Sequence, residues 1–163
     1  MNTMNRRRDI QLSTIDDLEA EVDRLVEAAR AGRVESLGKW SAAQALWHVG
    51  RMIEFSFDGF PFRYLRGYKW LTLILRAIAW RWLIRMALRP GFNNPPYAVA
   101  LEPDPAVSLD VAAALIRQQI SRIRAGEQMN QACSVEGPYS HDQWIYIHLR
   151  HAELHFGFLK MAE

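Results

Sequence analysis

Two stretches of this sequence open on the same helix-start signal, and together they limit what the chain can build. Ser41 is followed three residues later by Gln44, and Ser140 by Gln143. A serine and a glutamine at that spacing form a capping box, each side chain covering a backbone N–H left free at the start of a helix. Each box leads an apolar run of helical period, SAAQALWHVGRMIEFSFDG and SHDQWIYIHLRHAELHFGF. The first predicts a helix from Ala42 to about Phe57, ended by Asp58-Gly59. Two further helices are predicted. One runs from Ser13 to Ala31, with Ile15, Leu18, Val22, Leu25, Val26 and Ala29 inward, Ser13 or Thr14 as cap and Gly32 as stop. The other follows Ser108, with Val111, Leu115, Ile116, Gln119, Ile120 and Ile123 inward, and ends near Gly126. Four long helices and one irregular crossover between the second and third predict an all-α protein, a four-helix bundle in one domain spanning 1–163.

The histidines sit on the two boxed helices. His48 lies on the first, and His141, His148, His151 and His155 on the last. At about 100° per residue, His148, His151 and His155 share the inward side of their helix, and Gln44, Met52 and Phe55 fall near His48. Two histidines four apart on one face can point at one ion, the spacing of His151 and His155. His148 and His151, three apart, can also serve. His148 and His155 are about 10 Å apart along the axis at about 1.5 Å per residue, too far to share one ion easily. A third ligand must come from another helix, and His48 supplies it. The reading is a divalent metal on His48, His151 and His155, with Gln44 and His148 as pocket candidates. Three neutral imidazoles leave a coordination position open, the pattern of a catalytic rather than a structural site. Zinc and nickel come first, and iron or copper also accept imidazole. The rival reading makes these histidines ordinary core residues. Glu153 does not complete a zinc-protease motif: Ala152 stands where that glutamate belongs, and Glu153 is about 200° away from His151. His141 reads as a surface residue.

Charge and cysteine content narrow the function. Twenty basic and 18 acidic side chains give a net charge of +2, too balanced to predict a nucleic-acid partner. One cysteine, Cys133, forms no disulfide framework, reads as an ordinary loop thiol and points to a cytoplasmic location. Arg6, Arg7 and Arg8 read as a solvated arm. No apolar run follows them, so they do not introduce a signal peptide. From Pro61 to Pro90 the chain is rich in Trp and Leu, yet Arg76, Arg81 and Arg85 interrupt it, and no membrane span is expected. Arg81, Arg85 and Arg89 make one basic stripe. The segment reads as a crossover packed on the core with its arginines reaching water. The alternative makes 63–89 a docking surface for a protein partner or a membrane, a peripheral contact that is not favoured. Gly91 to Pro105 is an irregular, proline-rich connection.

The stretches GKWSAAQALWHVG and HLRHAELHFGF resemble the DinB-like superfamily of metalloenzymes. Trp40-Ser41 and His48 match its second-helix element. His151, His155 and Gly157 match its last-helix element, with Phe158 where the superfamily usually has glutamine. LRHAELHFGFL and HDQWIYIHLRH are most similar to an uncharacterised bacterial branch, domain of unknown function 1569. The resemblance implies an up-down-down-up bundle, frequently a homodimer, with a three-histidine metal site. Characterised relatives include thiol-dependent S-transferases and a mycothiol-dependent isomerase. The expectation is therefore a metal-dependent transferase or hydrolase acting on a small-molecule substrate, with a low-molecular-weight thiol as a second cofactor. The alternative is a non-catalytic helical module working through 63–89.

Overall fold

The computed structural model describes residues 6–61, 80–82, 84–85, 88–91, 98–133 and 137–162. The chain is mostly helical, with two small strand pairings. Among the described residues there are four α-helices: α1 (Ile15–Arg30), α2 (Ala42–Asp58), α3 (Leu109–Arg124) and α4 (His141–Phe156). A 3-10 turn, Val99–Leu101, interrupts the connection before α3. Strand β1 (Val34–Ser36) pairs antiparallel with β4 (Leu159–Met161), and β2 (Ala132–Cys133) with β3 (Gly137–Pro138).

The helices begin where their side chains cap them. Ser41 Oγ accepts from Gln44 N at 3.2 Å, and Gln44 Oε1 accepts from Ser41 N at 3.0 Å. Ser140 and Gln143 repeat this at 3.2 and 3.0 Å. Thr14 and Asp17 form a third box, and Ser108 caps α3 through Val111 N. Gly59, at φ 99°, lets the chain turn off α2 into a conformation that side chains rarely adopt.

One apolar core joins all four helices, with Trp144, Phe156, Leu18, Leu25, Leu46, Ile53, Ile116 and Ile120 fully buried. α2 and α3 approach closely at Gly50, where an added Cβ would lie 3.1 Å from the Ile116 backbone. Ala112 and Ala113 keep the α3 side of that contact thin. Ion pairs tie the outer faces. Arg30 at the end of α1 meets Asp110 at the start of α3, Arg117 meets Asp23, and Arg124 at the end of α3 meets Asp16 and Glu19 at the start of α1. Arg122 holds Asp58 at the end of α2.

Four features depart from the sequence reading. Val111 is 58% exposed rather than inward; it lies about 140° around the helix from Ile116. The last helix stops at Phe156, short of the end of its apolar run, and the chain goes on into β4. Of the arginine arm, Arg6 is exposed, but Arg7 and Arg8 are half-buried against α4 rather than solvated. Arg8 N donates to Gly157 O at 2.9 Å, Arg7 Nη2 to Leu154 O at 2.9 Å and Arg8 Nε to Leu159 O at 2.6 Å. The free carbonyls at the end of α4 attract these cations, as a helix C-terminus does. Finally, Glu153 is partly buried and accepts from Leu12 N at 2.6 Å, locking the arm to α4.

Most of 63–89 and residues 92–97 lie outside the described residues. Where the segment is described, Trp80 packs edge-on to Tyr146 with centroids 5.2 Å apart, and Ile84 is buried. Among the described residues no helix is long and apolar enough to cross a membrane.

The Gly50 contact generates a direct test. Gly50→Val should destabilise the fold by about 2–3 kcal/mol, because backbone rather than a flexible side chain must yield. Urea denaturation measures it; an unchanged midpoint would mean that α2 and α3 separate freely.

Candidate metal centre

α2 and α4 face each other across a seam of buried imidazoles. His48, His148 and His151 are buried and His155 is half-buried. His48 Nε2 lies 3.2 Å from His151 Nε2, and His155 Nε2 lies 3.0 Å from the same atom. One ligand atom from each of the three lies within 4.8 Å of the others. The structure therefore brings together the three residues that helical spacing and the lone histidine of α2 single out.

The donor set can be tested for fit to a cation by counting protons. His48 Nδ1 is 2.7 Å from the carbonyl of Leu101, and a carbonyl only accepts, so Nδ1 carries the hydrogen. Burial holds the His48 pKa down to about 4, partly offset by that hydrogen bond and by Glu102. At neutral pH the ring is neutral, and its Nε2 is a bare lone pair. The 3.2 Å contact is then a hydrogen bond only if His151 Nε2 is protonated. A protonated His151 Nε2 has no lone pair left to accept from His155. One proton on His151 Nε2 can serve both contacts only as a divided, three-centre bond, so at most one of the two is a full hydrogen bond. A cation among the three nitrogens removes the conflict. Nitrogens about 2.0–2.1 Å from a tetrahedral ion lie about 3.3 Å apart, close to the spacings present. Burial, reinforced by the neighbouring histidines, also holds His151 well below its ordinary pKa. Burial, His48 and Arg7 do the same for His155. All three are in the neutral form that metal binding needs.

The pocket candidates have other partners. The Gln44 carboxamide oxygen is engaged in the Ser41 cap. His148 Nε2 lies 3.0 Å from Ser56 Oγ, which itself donates to Ile53 O at 2.5 Å. Ser56 therefore accepts from His148 Nε2–H, and the buried Nδ1 has no partner among the described residues. The ring stacks on Trp144 at 5.2 Å and 11°, and burial with His141 holds its pKa down to about 3. His141 is half-buried, and its Nδ1 accepts from Met129 N at 3.2 Å.

Two members of the site are not visible as ligands in the sequence. The Leu101 carbonyl comes from the proline-rich connection and orients His48. Trp40 lies against His48 at 4.4 Å and stacks on His155 at 5.1 Å and 28°. Trp40 and His155 are half-buried, so they form the more exposed edge of the cluster. Trp40 precedes the Ser41 cap directly, the one local signal that it sits over the start of α2.

The model of the family described as Protein of unknown function (DUF1569) matches residues 4–162. The chain belongs to that family. No curated protein and no solved structure matches it. The DUF1569 match takes in both halves of the histidine cluster and the docked arm from its first residues.

Two outcomes follow from this geometry. His48 and His148 have folded pKa values of about 4 and about 3, below the ordinary 6.5. The unfolded chain therefore binds more protons in that window, and stability falls as pH falls from 6.5. Metal-free protein should lose about 3 kcal/mol through His48 alone, at about 1.4 kcal/mol per pKa unit. Urea midpoints in chelator between pH 7.5 and 4.5 read this directly; a flat profile contradicts it. Separately, paramagnetic Cu²⁺ or Ni²⁺ should quench tryptophan emission, and Trp40→Phe should remove most of the quenching although five other tryptophans remain.

Proposed function

We propose that this DUF1569 chain is a metal-dependent enzyme of the DinB-like type, a thiol-dependent S-transferase or a hydrolase acting on a small molecule. The observation that carries this reading is the convergence of three neutral imidazole Nε2 atoms whose contacts one proton can satisfy only in part. The architecture proposed with it is an up-down-down-up four-helix bundle. Its support is pairwise. The ion pairs join opposite ends of α1 and α3, Arg122 joins like ends of α2 and α3, and Ser56–His148 with His48–His151 run in opposite senses along α2 and α4.

A divalent ion on His48, His151 and His155, zinc or nickel by the donor set, would supply a Lewis acid that makes a thiol or water nucleophilic near neutral pH. The protein's own part is positioning. Leu101 O holds the His48 ring with Nε2 inward, the role that outer-shell acceptors play for metal-ligating histidines. Burial keeps the imidazoles unprotonated. Trp40 walls one side of the opening, so a substrate enters past an aromatic face. The homodimer expected of this type is part of the proposal and is read by sedimentation.

Exposure of Trp82, at 59%, beside Arg81 and Arg85 favours a second reading, a docking surface on 63–89. It does not compete for the same residues.

Protein purified without a histidine tag should carry about one zinc or nickel ion per chain. His151→Ala should lower affinity at least 100-fold, because it removes the nitrogen that both other ligands face. Chelation should lower the melting temperature of the native protein and leave that of His151→Ala unmoved. Absence of metal with no uptake of added zinc or nickel refutes the reading.

A further inference from the structure

A cleft of about 370 Å³ opens where the N-terminal arm lies along α4. Four guanidinium groups line it, from Arg7, Arg8, Arg85 and Arg150, against the carboxylates of Asp9 and Glu153. Their partners decide which charges are free. Arg8 pairs with the buried Glu21, and Arg150 with Glu153. Among the described residues, Arg7 and Arg85 have no ion pair. Of the two carboxylates in the lining, Glu153 is taken up by Arg150, which leaves the exposed Asp9, so the described lining is net positive.

Arg7 is also fixed in place. Its Nη2 donates to the carbonyls of Glu153 and Leu154, and the guanidinium lies 4.4 Å above the Phe158 ring. Its Nε is sealed from water with no acceptor among the described residues. A half-buried cation pinned this way cannot swing out to solvent, and without a counter-charge its desolvation is unfavourable. An oxyanion such as a carboxylate or phosphate provides both the charge and the acceptors that a guanidinium fork matches.

We propose that this cleft is a binding site for an oxyanion, the carboxylate or phosphate of a small molecule or of a lipid headgroup, held by Arg7 and Arg85. None of the three histidines lines this cleft, so the anion would be held by arginines and not by the cluster's ligands. Arg81 and the exposed Trp82 stand on the same stretch as Arg85, which makes a headgroup one source of the anion.

The test uses the full chain with its metal content unaltered. Inorganic phosphate and citrate are titrated by calorimetry against a chloride background, and phosphatidylcholine vesicles with and without phosphatidylserine are sedimented with the protein. Phosphate or citrate should bind, and Arg85→Gln and Arg7→Gln should each weaken binding by about tenfold, as loss of one charge-assisted hydrogen bond does. Sedimentation with phosphatidylserine vesicles alone, lost in both variants, supports the proposal and assigns the anion to a headgroup. Arg85 is exposed and unpaired, so its variant remains informative if Arg7→Gln loosens the arm. Arg33→Gln, another exposed arginine, is the control. Binding of neither probe, binding retained in Arg85→Gln, or an equal loss in Arg33→Gln overturns the proposal.

Discussion

Four imidazoles lie in the contact between α2 and α4, and the surrounding structure answers to their burial. A buried polar atom without a partner is unfavourable, and a buried charged imidazole more so. The fold keeps the rings neutral and supplies partners from several directions. Leu101 O takes the His48 proton, Ser56 Oγ takes the His148 proton, and Trp144 covers a His148 face. What it does not supply is a set of protons for the three facing Nε2 atoms, nor a partner among the described residues for Nδ1 of His148 or His151. A cation at their centre would meet all three nitrogens at once.

The other organising contact is the docking of the arm on the end of α4. The last carbonyls of a helix lack partners within it. Here Arg7 and Arg8 reach those of Glu153, Leu154, Phe156 and Gly157. Gly157 is needed for this closeness: a Cβ there would lie 2.8 Å from Arg7 Nη2 and 3.1 Å from Arg8 O. The arm therefore holds the helix that carries His151 and His155 at the end nearest to His155. Position of the ligands along α4 and binding of the arm are parts of one arrangement.

What was legible in the sequence was local. Ser41/Gln44 and Ser140/Gln143 announce helix starts because a cap is made within four residues. Helical period puts His48, His151 and His155 on inward faces because burial follows the same period. The apolar stripe of α3 was read one residue too wide at Val111, where alanines rather than a valine meet α2. The arm, the β1–β4 pairing and the Leu101 carbonyl were illegible for a common reason. Each depends on a contact across most of the chain, and a backbone carbonyl or an arginine looks the same in sequence whether it meets water or a helix end. Trp40 lay between: its neighbour Ser41 marks the place, but only the fold shows two imidazoles against its ring.

Phe158 links these parts. Its carbonyl accepts from Leu37 N at 2.8 Å, and its side chain lies against Gly38, so it anchors the loop that leads to Trp40. Its ring also carries the Arg7 guanidinium. A side chain without a ring there would offer no aromatic face, and Arg7 would lose the surface that keeps it over the end of α4. Phe158 and the arginine arm thus hold each other: the ring carries the guanidinium, and the guanidinium fixes the ring beside the loop that leads to Trp40.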